Sequence, residues 1–161
     1  MDKEIEKLAH EVGMMFKQKN MKLATAESCT GGGLGFWITS IPGSSEWYDR
    51  GFITYTNAAK TEMLNVKPHT LDMYGAVSEP VVIEMADGAL AQSDADITIA
   101  VSGIAGPDGG SPDKPVGTVW IAYASKNSRS EAFIELFPGD REAVRLATIK
   151  RALEQVIKFT L

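Results

Sequence analysis

The segment MKLATAESCTGGGLGFWITSI, residues 21–41, is the part of the sequence that decides the fold class. It begins as an apolar, strand-like run and ends with the pattern of a helix. Between these, Thr25–Gly33 combines three nucleophilic side chains, Ser28, Cys29 and Thr30, with three consecutive glycines. A strand that turns into a helix through small residues leaves N–H groups free at the helix N-terminus, where they bind anions or stabilise an oxyanion. The spacing matches neither the dinucleotide-binding nor the phosphate-loop glycine pattern. The segment therefore predicts either a ligand site or a strand-to-helix turn capped by Ser or Thr.

Helical and strand-like patterns alternate along the rest of the chain. Apolar residues recur at helical spacing over 3–19, and β-branched and aromatic residues mark the strands. Further helices are predicted at 57–66, at 78–93 with Ser78 as the cap, and at 141–159 with Asp140 as the cap. Further strands are predicted at 51–56, 96–106, 117–125 and 130–137, the last two as a hairpin. This order favours an α/β layered fold over one mixed sheet.

Length, charge and cysteine content exclude several classes of protein. The chain of 161 residues suits one domain, residues 1–161, and its net charge of −5 argues against direct nucleic-acid binding. It has no apolar run of the ~20 residues that a membrane span needs, and its charged start does not read as a signal peptide. Cys29 is the single cysteine, which precludes an internal disulfide and a cysteine-rich metal site. We expect a cytoplasmic protein that needs no metal.

A hydroxyl nucleophile needs a base, and the sequence offers few. His10 lies in the first predicted helix and His69 in a predicted surface turn, so both are expected to be solvated. Lys60 follows the strand GFITYT, and its amine can reach back towards the sheet, where Tyr55 can hydrogen-bond the same centre. A lysine acts as a base only when burial or a neighbouring cation lowers its pKa. Lys60 is therefore either the base or a solvated helix lysine.

A second anion-binding pattern precedes the last helix. In FPGDREAVR, Arg141 and Arg145 fall one turn apart on one face. A cation in the first turn opposes the helix dipole, and a bound anion at that position offsets the cost. The alternative is that both arginines pair with Glu142 or other surface carboxylates. Together with the glycine-rich stretches at Thr25–Gly33 and 101–110, this pattern predicts a ligand crevice at one edge of the sheet.

Five stretches together carry a resemblance to a known family: TAESCTGG, GFITYTNAAK, GAVSEPVV, SGIAGPDGGSPDKPVGTVWIAYA and FPGDRE. In this order they resemble the CinA C-terminal domain family, over almost the whole chain. The resemblance implies a three-layer α/β/α sandwich with a mixed, mostly parallel sheet. It also implies hydrolysis of the carboxamide of nicotinamide mononucleotide to nicotinic acid mononucleotide and ammonia, in pyridine nucleotide recycling and without a cofactor. We expect a homo-oligomer, most simply a dimer, without the extra N-terminal domain of larger members.

The resemblance also assigns roles to residues. It implies that Ser28 is the nucleophile, that Lys60 is the base and that Tyr55 lies beside them. Substrate-binding roles fall on further residues of the matched motifs and on the glycine turn after Ser28, whose N–H groups are expected to hold the oxyanion. These residues are Thr30, Gly31, Gly32, Ser45, Ser102, Gly103 and Arg141, with Arg141 taking the 5′-phosphate.

Two other functions stay open at this point. The chain could be a nucleotide-binding module without turnover, although an intact Ser28 and Lys60 count against it. It could also be an accessory protein of competence, as the family name suggests. Cys29 is expected to be buried and inert. The aromatic residues Trp37, Trp47 and Tyr48 are expected to pack in the core rather than to mark a self-association surface.

Overall fold

A computed structural model describes residues 2–161, which form one five-stranded sheet with helices on both faces. The strands are β1 (Leu23–Glu27), β2 (Tyr48–Ile53), β3 (Ile97–Gly103), β4 (Thr118–Ser125) and β5 (Ser128–Leu136). The α-helices are α1 (Lys3–Lys19), α2 (Gly33–Thr39), α3 (Asn57–Leu64), α4 (Pro68–Tyr74), α5 (Glu79–Ala91) and α6 (Arg141–Thr160). None of these helices is long and apolar enough to span a membrane.

The strand order is β2-β1-β3-β4-β5. Strand β1 is parallel to both of its neighbours, β2 and β3, whereas β4 is antiparallel to β3 and to β5. Four of the five strands therefore point in one direction and β4 opposes them, which confirms the mixed sheet. All five residues of β1 are buried, because this strand lies inside the sheet and is covered on both faces.

The two faces of the sheet have separate hydrophobic cores, which makes three layers. On one face α1, α2 and α6 pack on side chains such as Leu23, Ile99 and Ile121. On the other face α5, with α3 and α4, packs on the alternate, smaller residues of the same strands: Ala26, Ala100, Ala122 and Ala124. The alternation follows from the two-residue period of a strand. The predicted three-layer α/β/α sandwich is confirmed.

Most predicted elements are present, with shifted ends. Helix α1 spans the predicted residues 3–19, and Ser78 and Asp140 cap α5 and α6 by accepting hydrogen bonds from Val81 N and Ala143 N. Strand β2 begins at Tyr48 and ends at Ile53, so the prediction of 51–56 was wrong at both ends. The prediction of a surface turn at His69 was also wrong. Pro68 starts α4 there, because its fixed φ suits the first turn of a helix.

Candidate active site

The candidate site lies at the edge of the sheet where the parallel strands β1 and β3 end. Ser28 directly follows β1, and Ser102 and Gly103 are the last residues of β3. Since β1 and β3 are neighbours and parallel, their carboxyl ends meet at one edge. A cavity of about 300 Å³ opens there. Its wall includes Ser28, Cys29, Tyr55, Asn57, Lys60, Ser102, Gly103, Asp108 and Arg141.

Ser28 and Lys60 meet inside this cavity. Lys60 Nζ lies 3.0 Å from Ser28 Oγ, within the range needed for direct proton transfer. Lys60 is 1% exposed and Ser28 is 7% exposed. Helix α3 brings the lysine to this position: Thr56 caps the helix through Ala59 N, and Lys60 lies one turn further on. The structure therefore excludes the alternative that Lys60 is a solvated helix lysine.

The surroundings of Lys60 Nζ suit both protonation states of the amine. Nζ also donates to the main-chain oxygens of Thr54, at 2.9 Å, and Tyr55, at 3.3 Å. A charged ammonium has three N–H groups and can donate to all three oxygens. A neutral amine donates to the two carbonyls, which only accept, and its lone pair then faces the Ser28 hydroxyl. A proton can thus pass from Ser28 to Lys60 without displacement of either side chain.

Burial lowers the pKa of the Lys60 ammonium below its ordinary value. The cause is the loss of water around the charged form, which an apolar environment disfavours. Within residues 2–161 no carboxylate forms an ion pair with Lys60, so the charge has no anionic partner to offset that loss. The neutral amine is the form that can accept the proton of Ser28.

Tyr55 reaches this centre in a different way from the one expected. Its carbonyl oxygen accepts from Lys60, whereas its phenolic oxygen accepts from Arg141 Nη2 at 2.8 Å. Arg141 Nη1 also donates to the carbonyl of Gly106, at 2.8 Å. The guanidinium therefore joins two rims of the cavity, the segment after β2 and the loop after β3. Neither Arg141 nor Arg145 makes an ion pair with a carboxylate in residues 2–161, which contradicts the alternative of surface pairs.

The turn after Ser28 is held by hydrogen bonds of its own. Gly31 N donates to Ser28 O and Gly33 N donates to Thr30 O, so the amide of Gly31 is already used. The amides of Thr30 and Gly32 donate to no acceptor in the part of the chain that the structure describes. Gly31 and Gly32 have φ values of +58° and +99°, which favour glycine. Neither glycine nor Thr30 lies in the cavity wall, so a direct substrate contact of the Thr30 side chain is not supported.

The remaining predicted residues divide between the cavity and the opposite edge of the sheet. Ser102 lines the cavity, and its hydroxyl donates to Ala76 O at 2.9 Å, which fixes the segment before α5 against β3. Ser45 lies in a short 3-10 helix before β2, where Trp47 O accepts from Leu23 N at the start of β1. The length of β1 separates that position from Ser28, about 16 Å at ~3.3 Å per residue. The structure does not bring Ser45 into the cavity of its own chain.

Cys29, Trp37 and Trp47 are buried as expected, whereas Tyr48 is half-buried and packs against the edge of the same core. Cys29 is 5% exposed, and burial raises the pKa of its thiol to about 12, so the thiolate form is scarce at neutral pH. Trp37 and Trp47 are buried in the core on the α1 face of the sheet. His10 and His69 are exposed, and neither lies in the wall of the cavity.

Sequence reasoning missed four contributors to this site. Asn57 and Asp108 line the cavity but lie in stretches whose pattern predicts only a helix start and a loop. Thr54 takes part through its carbonyl oxygen, which no sequence pattern reveals. Glu27 is a buried carboxylate directly before the nucleophile. The sequence feature that could have revealed it is a charged residue at the end of an apolar strand.

The fold and the site define the class: a three-layer α/β/α protein with a buried serine–lysine pair where its parallel strands end. The sequence profile of the CinA C-terminal domain matches residues 5–160. The chain belongs to the CinA C-terminal domain family.

Relatives and solved structures agree with this assignment. The chain is 51% identical to the nicotinamide-nucleotide amidohydrolase PncC of Escherichia coli (strain K12) over 153 residues, 95% of this chain and 93% of the relative. It is 49% identical to the protein of the same name from Pseudomonas putida, over 96% of both chains. The crystal structure of the competence/damage inducible protein CihA from Agrobacterium tumefaciens superposes with a TM-score of 0.95 at 44% identity, over 98% of this chain and 96% of that one.

Proposed function

We propose that this protein hydrolyses the carboxamide of nicotinamide mononucleotide, giving nicotinic acid mononucleotide and ammonia. The observation that carries the proposal is the 3.0 Å contact between Lys60 Nζ and Ser28 Oγ in a cavity that Arg141 also lines. The names of the relatives supply the substrate, since two of them at about half identity are nicotinamide-nucleotide amidohydrolases.

The first half of the reaction forms an acyl-enzyme. Neutral Lys60 accepts the proton of the Ser28 hydroxyl while Oγ forms a bond to the carboxamide carbon. The carboxamide oxygen gains the negative charge, and main-chain amides of the turn after Ser28 are the donors that we propose for it. Those of Thr30 and Gly32 are free, although neither residue lines the cavity, so the oxygen has to reach past Ser28 and Cys29 to meet them. When the carbon–nitrogen bond breaks, Lys60 returns the proton to the leaving nitrogen, and ammonia departs.

The second half of the reaction restores the enzyme. Lys60, neutral again, takes a proton from water, whose oxygen attacks the acyl carbon. The bond to Ser28 Oγ then breaks, and Lys60 gives the proton back to Ser28. The carbonyl oxygens of Thr54 and Tyr55 keep the Lys60 amine in place through both halves. The pyridinium charge of the substrate also favours the neutral lysine.

Arg141 is the proposed phosphate ligand. It is the first residue of α6, where its positive charge opposes the helix dipole, and only two of its five N–H groups are used, on Gly106 O and Tyr55 Oη. An anion at this position can bind the remaining guanidinium N–H groups. Tyr55, whose hydroxyl accepts a hydrogen bond from Arg141, then positions the Arg141 guanidinium for the phosphate. Ser102 and Gly103 complete the proposed substrate contacts at the end of β3.

Three broader parts of the proposal rest on the resemblance and the composition. They are a role in pyridine nucleotide recycling, a cytoplasmic location, and a homo-oligomer, most simply a dimer. Exposed apolar side chains next to the turn, Ile53 and Phe36, which are 53% and 63% exposed, support a surface for a second copy.

The test is ammonia release from nicotinamide mononucleotide by the purified protein, with Ser28→Ala as the matched control. We expect equimolar ammonia and nicotinic acid mononucleotide from the parent protein and neither product from the variant. Binding of the mononucleotide without ammonia release would favour a nucleotide-binding module instead. The absence of both would favour an accessory role of the kind that the word competence in relatives' names suggests.

A further inference from the structure

A carboxylate lies buried beside the candidate nucleophile and has no part in the proposed reaction. Glu27 ends β1, directly before Ser28, and is 1% exposed. A buried carboxylate is unfavourable unless donors or a cation surround it. Glu27 makes no ion pair within residues 2–161, so hydrogen bonds must compensate for the water it has lost.

Three donors surround the Glu27 carboxylate, and all belong to the turn after Ser28 or to the helix that follows. Oε1 accepts from the Thr30 hydroxyl and from Leu34 N, at 2.8 Å. Oε2 accepts from Gly35 N, at 2.9 Å. The N-cap of α2 is Gly32, which has no side chain to accept from these amides. Glu27 therefore caps α2 from the end of the preceding strand.

This arrangement fixes the turn at both ends. At one end β1 is held between β2 and β3, and Ser28 N donates to Val101 O of β3. At the other end the carboxylate holds the first turn of α2 and the hydroxyl of Thr30. Arg145 of α6 adds a third support, because its Nη2 donates to Thr30 O at 3.1 Å. Residues 28–33 thus have little freedom to move relative to the sheet.

We propose that Glu27 is a positioning residue for Ser28: it holds the turn in the conformation that keeps Ser28 Oγ on Lys60 and leaves the amides of Thr30 and Gly32 free. Glu27 is not among the residues of the cavity wall, so it acts through the turn. Its kinetic test rests on the proposed function. A displacement of about 1 Å at a reacting group can reduce a rate on the order of 10²-fold, so a loosened turn is expected to lower kcat.

The chain offers a matched control for this carboxylate. Glu84 accepts from the Thr70 hydroxyl at 2.7 Å and from Lys67 N, the N-cap residue of α4, at 2.9 Å. It repeats the chemistry of Glu27, a threonine hydroxyl and a main-chain amide at the start of a helix. Glu84 does not line the Ser28 cavity. If such a carboxylate has a purely structural role, its replacement is expected to lower Tm and to leave kcat unchanged at both positions.

The experiment compares Glu27→Gln with Glu84→Gln for kcat, KM and Tm, at a temperature well below both transitions. We expect Glu27→Gln to lower kcat about 10- to 100-fold with KM for nicotinamide mononucleotide within about twofold. We expect Glu84→Gln to lower Tm and to keep the parental kcat. Thr30→Val removes the hydroxyl partner without touching the carboxylate. It is expected to lower kcat as well, and to add little in the double variant because the two changes break one contact. If Glu27→Gln fails to fold, Thr30→Val carries the same test.

A parental kcat in both Glu27→Gln and Thr30→Val would overturn the proposal, and so would equal losses of kcat in Glu27→Gln and Glu84→Gln. The pH profile separates positioning from charge. A positioning role leaves the acidic limb of the kcat/KM profile at its parental pH. A shift of that limb to lower pH in Glu27→Gln would mean that the carboxylate acts on Lys60 through its charge, and this result would also overturn the proposal.

A second measurement keeps this inference independent of the substrate. Phenylmethylsulfonyl fluoride transfers its sulfonyl group to an activated serine: the Oγ–S bond forms, fluoride leaves, and the hydroxyl proton passes to the base. Labelling of Ser28, followed by mass spectrometry, is expected to be tenfold or more slower in Glu27→Gln than in the parent protein. Equal labelling rates would overturn the inference even if the protein hydrolyses the mononucleotide. Slower labelling would uphold it even if the protein does not.

Discussion

Lys60 Nζ and Ser28 Oγ lie 3.0 Å apart although 32 positions separate the two residues in the sequence. The contact arises because β2 lies parallel to β1, so that the chain leaving β2 reaches the same edge of the sheet as Ser28. Helix α3 then directs the lysine back over the end of β1. Substitution of either side chain therefore tests the same Ser28–Lys60 pair.

Ser28→Ala is expected to lower kcat by a factor on the order of 10³ or more while binding of the mononucleotide persists, because only the attacking atom is lost. Ammonia release and equilibrium binding measure the two effects. Cys29→Ala is the neighbouring control. It is expected to keep most of the activity, since the buried thiol has a pKa of about 12. Loss of turnover in Cys29→Ala with normal turnover in Ser28→Ala would reverse the assignment.

Lys60→Gln is expected to lower kcat by a factor on the order of 10² or more, the scale of a missing general base. Lys60→Arg is not expected to restore activity, because a guanidinium stays protonated. In the parent protein the acidic limb of kcat/KM is expected below the ordinary lysine pKa of about 10.4, since burial lowers the pKa of Lys60. Rates measured across pH locate the acidic limb. Parental turnover in Lys60→Arg would contradict the role of Lys60 as the base.

The same lowered pKa has a consequence for stability. Between the folded and the unfolded pKa of Lys60 the unfolded chain binds more protons than the folded one, so stability rises with pH in that window. Lys60→Met removes this contribution. We expect the Tm of the parent protein to gain on that of Lys60→Met as the pH is raised from 7 to 10. Thermal unfolding of both proteins measures the difference, and a constant or opposite difference would mean that the pKa of Lys60 is not lowered.

Arg141→Ala is expected to raise KM for the mononucleotide about 10- to 100-fold with a much smaller change in kcat. A charged hydrogen bond contributes about 1.5–3 kcal/mol, and this contact is present in the ground and transition states alike. Nicotinamide riboside, which lacks the phosphate, is expected to be a poor substrate of the parent protein and to lose little further in Arg141→Ala. Equal efficiency of the parent protein on riboside and mononucleotide would rule out a phosphate site at Arg141.

Ser45→Ala tests whether Ser45 binds the substrate, as the resemblance implies, or lies outside the site, as it does within a single chain. Because Ser45 lies at the amino-terminal edge of β1 and β2, its removal is expected to leave kcat/KM within about twofold. Steady-state kinetics of the variant check this. A large rise in KM would indicate that Ser45 of a second copy completes the site, and sedimentation of the protein at assay concentration would then have to show an oligomer.

Several features of this protein could be read from the sequence because they depend on neighbouring residues. The apolar period of α1 predicts its limits, and Ser78 and Asp140 act as caps within the next turn of chain. Strand ends and the short helix α4 were less predictable. Tyr48 and Arg50 extend β2 beyond the β-branched run because β1 is there to pair with them, and Pro68 reads equally as a turn.

The sequence by itself determined the α/β class, the order of most elements and the candidacy of Ser28, Lys60 and Arg141, since these follow from local pattern and motif. Only the tertiary structure decided that Tyr55 contacts Lys60 through its carbonyl and Arg141 through its hydroxyl. It alone placed Glu27 as the remote cap of α2 and Ser45 at the far edge of the sheet. The physical reason is that main-chain carbonyls are the same in every residue. Which carbonyl or buried carboxylate meets which donor depends on how distant segments pack.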